Sequence, residues 1–113
     1  MRLQIAVRTK CAQLDANVAR VLLEAGAVVG AQDNDGRTAL MAAAQNGHEQ
    51  VARVLLEAGA VVGALSNDGT TASMYAAKNG HEQIARVLLE AGAVVGAQDN
   101  DGRTALMLAS QKG

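Results

Sequence analysis

Hydrophobic and polar positions in this chain follow a short helical period nested inside a longer one. In HEQVARVLLEA (48–58), Val51, Val54, Leu55 and Ala58 stand at i, i+3, i+4 and i+7, which predicts one apolar stripe on an amphipathic helix. The same letters return at 81–91 with Ile84 for Val51, and VARVLLEA recurs at 18–25. Ahead of the second-helix segment lies an Ala-rich stretch, TALMAAAQNG (38–47), which predicts a shorter helix. The hydroxyl of Thr38 can cap its start by accepting a bond from an otherwise free backbone N–H. Asn46-Gly47 can end it, because glycine adopts left-handed backbone without steric cost. Thr71 and Thr104, and Asn79-Gly80, hold the same places further on. Gly59 closes the second helix, and Asp35-Gly36 then supplies a turn of the kind that closes a hairpin. Each unit therefore reads helix, turn, helix, extended loop.

The longer period is 33 residues, the spacing of Gly36, Gly69 and Gly102. The octet EAGAVVGA marks it too, at 24–31, 57–64 and 90–97. The boundaries that follow are a diverged first unit at 1–32, full units at 33–65 and 66–98, and a partial unit at 99–113. Self-similarity at this length predicts an all-α solenoid, in which a unit buries its apolar face only against its neighbours. The whole chain, 1–113, forms one such domain.

Unit length, element order and letters together resemble the ankyrin repeat. Its pattern is D-x-x-G-x-T-P-L-H-x-A-A-x-x-G-H, then a leucine-rich helix and G-A-D-V-N-A. The match runs through nearly all of the chain after residue 15. It implies a solenoid of stacked helix-turn-helix units joined by hairpin-like loops, with a non-enzymatic, protein-binding role. Two departures stand out. T-P-L-H reads Thr-Ala-Leu-Met at 38–41 and 104–107, and Thr-Ala-Ser-Met at 71–74. The family's Thr–His hydrogen bond is then unavailable to Met41, Met74 and Met107, and apolar contact is expected in its place. G-A-D-V-N has become Gly-Ala-Val-Val-Gly in all three copies, which predicts a looser loop with more exposed apolar surface.

Composition narrows the function classes. Half the residues are apolar, yet Phe and Trp are absent and Tyr75 is the single aromatic, which suits thin layers of closely packed helices. A formal charge of −1 argues against nucleic acid, whose phosphates require clustered cations. No apolar run approaches the roughly 20 residues that cross a bilayer, and no signal peptide opens the chain. Cys11 stands alone, which favours a reducing compartment, cytoplasmic or nuclear for a natural protein.

Candidate chemistry falls away on inspection. Gly26-Ala-Val-Val-Gly30 matches a membrane close-packing signal, but Glu24 and Gln32 flank it. Asp33-Asn-Asp-Gly36 hints at a calcium loop, yet the required first and last ligand positions are Ala31 and Ala42. His48 and His81 sit one unit apart, too far to share one zinc when helices pack roughly 8–10 Å apart, so each reads as a turn histidine bonded to local backbone. Glu24, Glu57 and Glu90 read as solvated charges. The expectation is no catalytic residue, no metal and no cofactor.

A partner surface is expected on hairpin tips and the exposed side of each first helix. Carried from the resemblance, it comprises Gln32, Asn34, Asp35, Arg37, Gln45 and Asn46. The next rung is Leu65, Asn67, Asp68, Thr70, Lys78 and Asn79, and the last is Gln98, Asn100, Asp101, Arg103, Gln111 and Lys112. Residues 18–41 and 84–107 differ only at Val18 against Ile84, whereas the middle unit carries Leu65, Ser66, Thr70, Ser73 and Lys78 for Gln, Asp, Arg, Leu and Gln. Tyr75 stands where the other units have Ala42 and Leu108. One reading makes Leu65, Thr70 and Tyr75 the heart of an interface; the other is core drift, with Tyr75 filling space that Ser73 opens. An engineered or consensus-derived scaffold with no evolved ligand is the alternative to a natural interaction module. At the ends, Arg8, Thr9 and Lys10 give the first unit a polar face. Leu106 and Leu108 belong to a final helix without its usual partner, which predicts fraying or self-association through that end.

Overall fold

The computed structural model describes residues 16–112, with the side chain of Lys112 excepted. Arg8, Thr9, Lys10 and Cys11 lie outside the described residues. Helix α1 is described over 16–24. It is followed by α2 (Ala39–Asn46), α3 (Glu49–Glu57), α4 (Ala72–Asn79), α5 (Glu82–Glu90) and α6 (Ala105–Lys112). No strand occurs among the described residues. The first helices α2, α4 and α6 lie side by side as one layer. The second helices α3 and α5 pack on α2 and α4 respectively and against each other, making the second layer.

Small residues set the closeness of these layers. Ala44, Ala52 and Ala76 are fully buried, and with Leu40, Met41, Ala43, Leu55, Ala72, Ile84 and Leu88 they form a continuous core across unit boundaries. Along α3 the expected stripe is only partly right. Val54 and Leu55 are buried and Val51 half-buried, but Ala58 is exposed and Ala52 takes its place inside. The reason is local: α3 ends at Glu57, so Ala58 is already a cap and the 3.6-residue period no longer places it.

The caps explain how an Ala-rich helix of eight residues holds its ends. Thr38 is extended (φ −98°, ψ 169°), and its hydroxyl accepts the Met41 N–H at 3.3 Å. Met41 also does something the sequence did not suggest. Its sulfur accepts the Thr38 N–H at 3.5 Å, and Met74 repeats this at Thr71. Thioether sulfur is a weak acceptor, so the methionine partly replaces the reciprocal cap and buries its side chain at the same time. Both methionines are 1% exposed.

At the other end of α2, Gly47 adopts φ 77°, and a Cβ there would sit 2.8 Å from the His81 ring. That ring lies one unit on. Its Nε2 is 3.1 Å from the Gln45 carbonyl, so His81 fastens the third unit to the second rather than bonding local backbone. The Gly-Ala-Val-Val-Gly-Ala segments close as tight turns, with Ala31, Ala64 and Ala97 N–H groups on the carbonyls of Val28, Val61 and Val94. Backbone bonding takes over the bracing that polar side chains would supply. The expected apolar exposure is present: Val28, Val61 and Val94 are each about two-thirds or more exposed. At the last helix the expectation divides, because Leu108 is buried while Leu106 is 74% exposed.

Candidate partner-binding surface

Each hairpin is a turn locked from inside by one side chain. The Gly36 N–H reaches the Asp33 carbonyl at 2.9 Å, and the Asp33 N–H reaches the Arg37 carbonyl at 2.9 Å. The Asp33 carboxylate then accepts the N–H groups of Asp35 and Arg37, both at 2.9 Å, and the Arg37 Nε at 3.1 Å. Asp99 repeats the arrangement with Asp101 and Arg103. These bonds hold the carboxyls of Asp33 and Asp99 below their ordinary range, first through the backbone N–H of Arg37 and Arg103. The Asp33 carboxylate in turn raises the Arg37 guanidinium. The supposed calcium loop thus spends its first carboxylate on its own turn. Among the described residues no group of three or more His, Cys, Asp or Glu could hold a metal ion.

The middle hairpin reaches the same shape by different chemistry. Ser66 replaces the aspartate and donates its hydroxyl to Asp68 Oδ1, while accepting the Thr70 N–H at 3.2 Å. The Thr70 hydroxyl also donates to Asp68 Oδ1, at 2.8 Å. Asp68 is held below the ordinary carboxylate range, first by Ser66 and then by Thr70. Ser66 and Thr70 are both buried. Thr70 therefore leaves the accessible surface, because its hydroxyl is turned inward onto Asp68. The Asp-to-Ser and Arg-to-Thr changes form one coupled exchange of an ion pair for a hydroxyl–carboxylate cluster.

Two expected outcomes follow. Ser66→Asp alone sets a second carboxylate beside Asp68, and Thr70→Arg alone removes a donor from it, whereas the double variant restores the outer-hairpin clasp. Urea unfolding of the four proteins gives a favourable coupling of about 1–2 kcal/mol, and additive effects would contradict the exchange. The second outcome concerns acid. All three carboxyls are depressed, so their stabilisation is complete above the unfolded value near 3.8 and is lost as pH falls through the lower folded values. Melting temperature should accordingly stay level down to about pH 4 and fall below it, with a shallower fall for Asp68→Asn.

Several expected contact residues prove to join units. Asn67 N–H reaches the Asp35 carbonyl at 2.9 Å, and Asn67 Nδ2 reaches the Asn34 carbonyl at 3.0 Å. Asn100 repeats both bonds to Asp68 and Asn67, at 3.1 and 3.3 Å. Gly36 makes room for this: a Cβ there would lie 2.8 Å from the Asn67 backbone nitrogen, and its φ is +78°. Gln32 bridges the carbonyls of Gly36 and Leu65, and Gln98 holds the Gly102 carbonyl. Asn46 and Asn79 close their own helices on Ala42 and Tyr75 carbonyls, both at 2.9 Å. Period and turn chemistry gave no sign of these cross-unit bonds, although the fixed 33-residue separation of Asn34, Asn67 and Asn100 was the available clue.

What remains outward is a face carrying Asp35, Gln45, Lys78, Asp101 and Gln111, all exposed. Half-buried Arg37 and Arg103 extend it, each within 3.7 Å of a tip aspartate. Between the second and third units this face sinks into an open groove of about 280 Å³ lined by Asp35, Arg37, Asn67, Asp68 and Tyr75. Tyr75 is half-buried, resting on the core. Leu65 does not line this groove. It lines apolar hollows formed by the Val-Val-Gly turns, with Ala60, Val61 and Ala64 on one side and Val62, Ala93 and Val94 on the other. Ser73 lines the second hollow and Tyr75 the charged groove, as two residues about 200° apart on a helix must. Tyr75 therefore does not fill the space that Ser73 opens.

A broad face of repeated polar rungs over a helical stack defines a repeat solenoid, a class that recognises partners by surface. The family model for ankyrin repeats, spanning three copies, matches residues 3–66 and 61–113, and the chain belongs to the ankyrin-repeat family. A search of curated proteins found no match. Ankyrin repeats are generally protein–protein interaction modules. No helix among the described residues is long and apolar enough to cross a membrane.

Proposed function

We propose that this chain binds a protein partner through the hairpin tips and first-helix face, centred on the groove between Arg37 and Tyr75. One observation carries this reading. The groove gathers the lone aromatic, a guanidinium and two tip carboxylates in one open depression, while Gln32, Asn67 and Asn100 are spent on holding units together. An aromatic and an arginine in a semi-enclosed site are the residue types that dominate interface energetics. The mixed charge suits a peptide segment that offers both an acidic and a basic group. A reaction has no comparable support, since the groove presents no nucleophile beside a base. For a natural chain, a reducing cytoplasmic or nuclear setting agrees with the single cysteine.

A displayed peptide library panned against the chain tests the reading. Binders should lose at least about tenfold affinity with Tyr75→Ala or Arg37→Ala, as hot-spot truncations do. They should keep it with Glu57→Ala or Glu90→Ala on the second helices. Equal losses from both pairs would remove the groove from the account. The near-identity of 18–41 and 84–107 supports a second reading, an engineered or consensus-derived scaffold whose face has no evolved ligand. Exposure of Leu106 and Met107, 74% and 50%, supports self-association through the α6 end as an additional mode.

A further inference from the structure

Charge around the groove between the second and third units is unbalanced. The two hairpins that flank it bring three carboxylates, Asp33, Asp35 and Asp68, against the single guanidinium of Arg37. That guanidinium is engaged within its own hairpin: Nε lies 3.1 Å from Asp33 Oδ2, and Nη2 lies 3.7 Å from Asp35 Oδ2. The Asp35 side chain nonetheless stays 78% exposed. Asp68 accepts its two hydroxyl bonds, from Ser66 and Thr70, on Oδ1, which leaves Oδ2 outside that cluster. The same bonds keep its carboxyl ionised well below neutral pH. Lys78 stands three residues beyond Tyr75 on α4 but does not line the groove, and carboxylates outnumber cations even when it is counted.

The hairpins are also fixed to one another. Asn67 is bonded to the Asp35 and Asn34 carbonyls, so Asp35 and Asp68 stand a set distance apart, one rung from the other. Tyr75 borders the groove from the third unit, within the first-helix ladder of Ala42, Tyr75 and Leu108. On the groove side its neighbour in that ladder is only Ala42, whose methyl leaves space that a leucine would take. On the far side the ladder carries Leu108, a bulkier side chain that is itself buried.

We infer that the groove seats an arginine side chain of the protein partner, its guanidinium between Asp35 and Asp68 and its plane against Tyr75. Arginine fits better than lysine on physical grounds. Its charge is spread over a plane that can address two carboxylates at once, it stacks on an aromatic ring, and it is more weakly hydrated than an ammonium. Loss of Arg37 would free Asp35 as well as remove a wall of the groove, so Arg37→Ala still weakens binding. This inference rests on the reading of the groove as the partner site, and it gives the groove the basic group of the peptide.

The probes are peptides recovered from the displayed library whose binding is lost with Tyr75→Ala. Each arginine in them is replaced in turn by lysine and by citrulline, which keeps the planar shape without the charge. Fluorescence anisotropy then gives affinities for the unaltered chain and for Asp35→Asn, Asp68→Asn and Asp101→Asn. Each peptide should contain one arginine whose change to citrulline costs at least about tenfold, with a smaller loss for lysine. Asp35→Asn and Asp68→Asn should weaken the arginine form several-fold and the citrulline form hardly at all. Asp101→Asn, one hairpin further on, should change neither. If Asp68→Asn loosens its own hairpin, the Asp35→Asn values decide, because that side chain is exposed. Equal affinity with lysine would overturn the guanidinium assignment. Tyr75-dependent peptides that bind equally well with citrulline would overturn the basic anchor and leave the groove as the partner site. A library without any Tyr75-dependent binder would remove both.

Discussion

Replacing Ser73 by Leu should stabilise the chain by about 2 kcal/mol, read as a higher urea midpoint at unchanged slope. Ser73 is the one described residue whose buried side-chain oxygen has no hydrogen-bond partner. An unsatisfied buried hydroxyl costs roughly 1–3 kcal/mol, because its bonds to water are lost and nothing replaces them. The hollow beside it, about 110 Å³, is lined by Val62, Leu65, Ala93, Val94 and Ala97. The fit of leucine follows from the chain itself, since Leu40 fills the equivalent position one unit earlier at 1% exposure. A lower midpoint would mean that the third unit has closed over Ser73 in a way the second has not, so that leucine overpacks it.

Leu40→Ala and Leu106→Ala should differ sharply although the letters around them are the same. Leu40 is 1% exposed in the shared core, and its truncation is expected to cost about 2–5 kcal/mol through lost transfer energy and the cavity left behind. Leu106 is 74% exposed, and its loss should stay within about 0.5 kcal/mol when the chain is dilute. For a domain whose net stability is of order 5–15 kcal/mol, the first change removes a large share and the second almost none. Chemical unfolding of both at low micromolar concentration checks this. Similar losses would show that α6 is covered within its own chain, against the exposure of Leu106.

The unit architecture could be read from the sequence because its signals are local. Thr38, Asn46-Gly47, Gly59 and Asp35-Gly36 each act on backbone within a few residues, and the structure places a cap or turn at each. The partner surface was less legible because its residues are shared between units. Whether Asn67 faces a partner or the Asn34 carbonyl depends on where the previous hairpin lies, and helical periodicity holds no such information. Thr70 was misplaced for a related reason: its burial follows from the simultaneous change at Ser66, visible only once both surround Asp68. His81 looked like a local turn residue because nothing in its own unit shows that Gln45 offers a carbonyl to it. One of the two readings of Tyr75 and Ser73 joined them in a single packing event, whereas their side chains leave α4 on different sides.

These distinctions matter for function because they separate scaffold from reader. Amides that might have been spent on recognition are committed to the 33-residue step, so the face left for a partner is narrower than the ladder of exposed letters suggests. Variation in the middle hairpin removes an ion pair from that face and leaves the formal charge of the hairpin at −1. The cation of this rung moves from the hairpin to the first helix, where Lys78 stands in place of Gln45 and Gln111.

The account depends most on each unit resting on its predecessor through the hairpin backbone. Through-hydrogen-bond scalar coupling on the isotope-labelled chain measures this directly. It should detect Asn67 nitrogen coupled to the Asp35 carbonyl carbon, and Asn100 nitrogen coupled to that of Asp68, with both amides slow to exchange. Absence of both couplings, with Asn67 and Asn100 amides exchanging as fast as an unstructured peptide, would contradict the stacked arrangement.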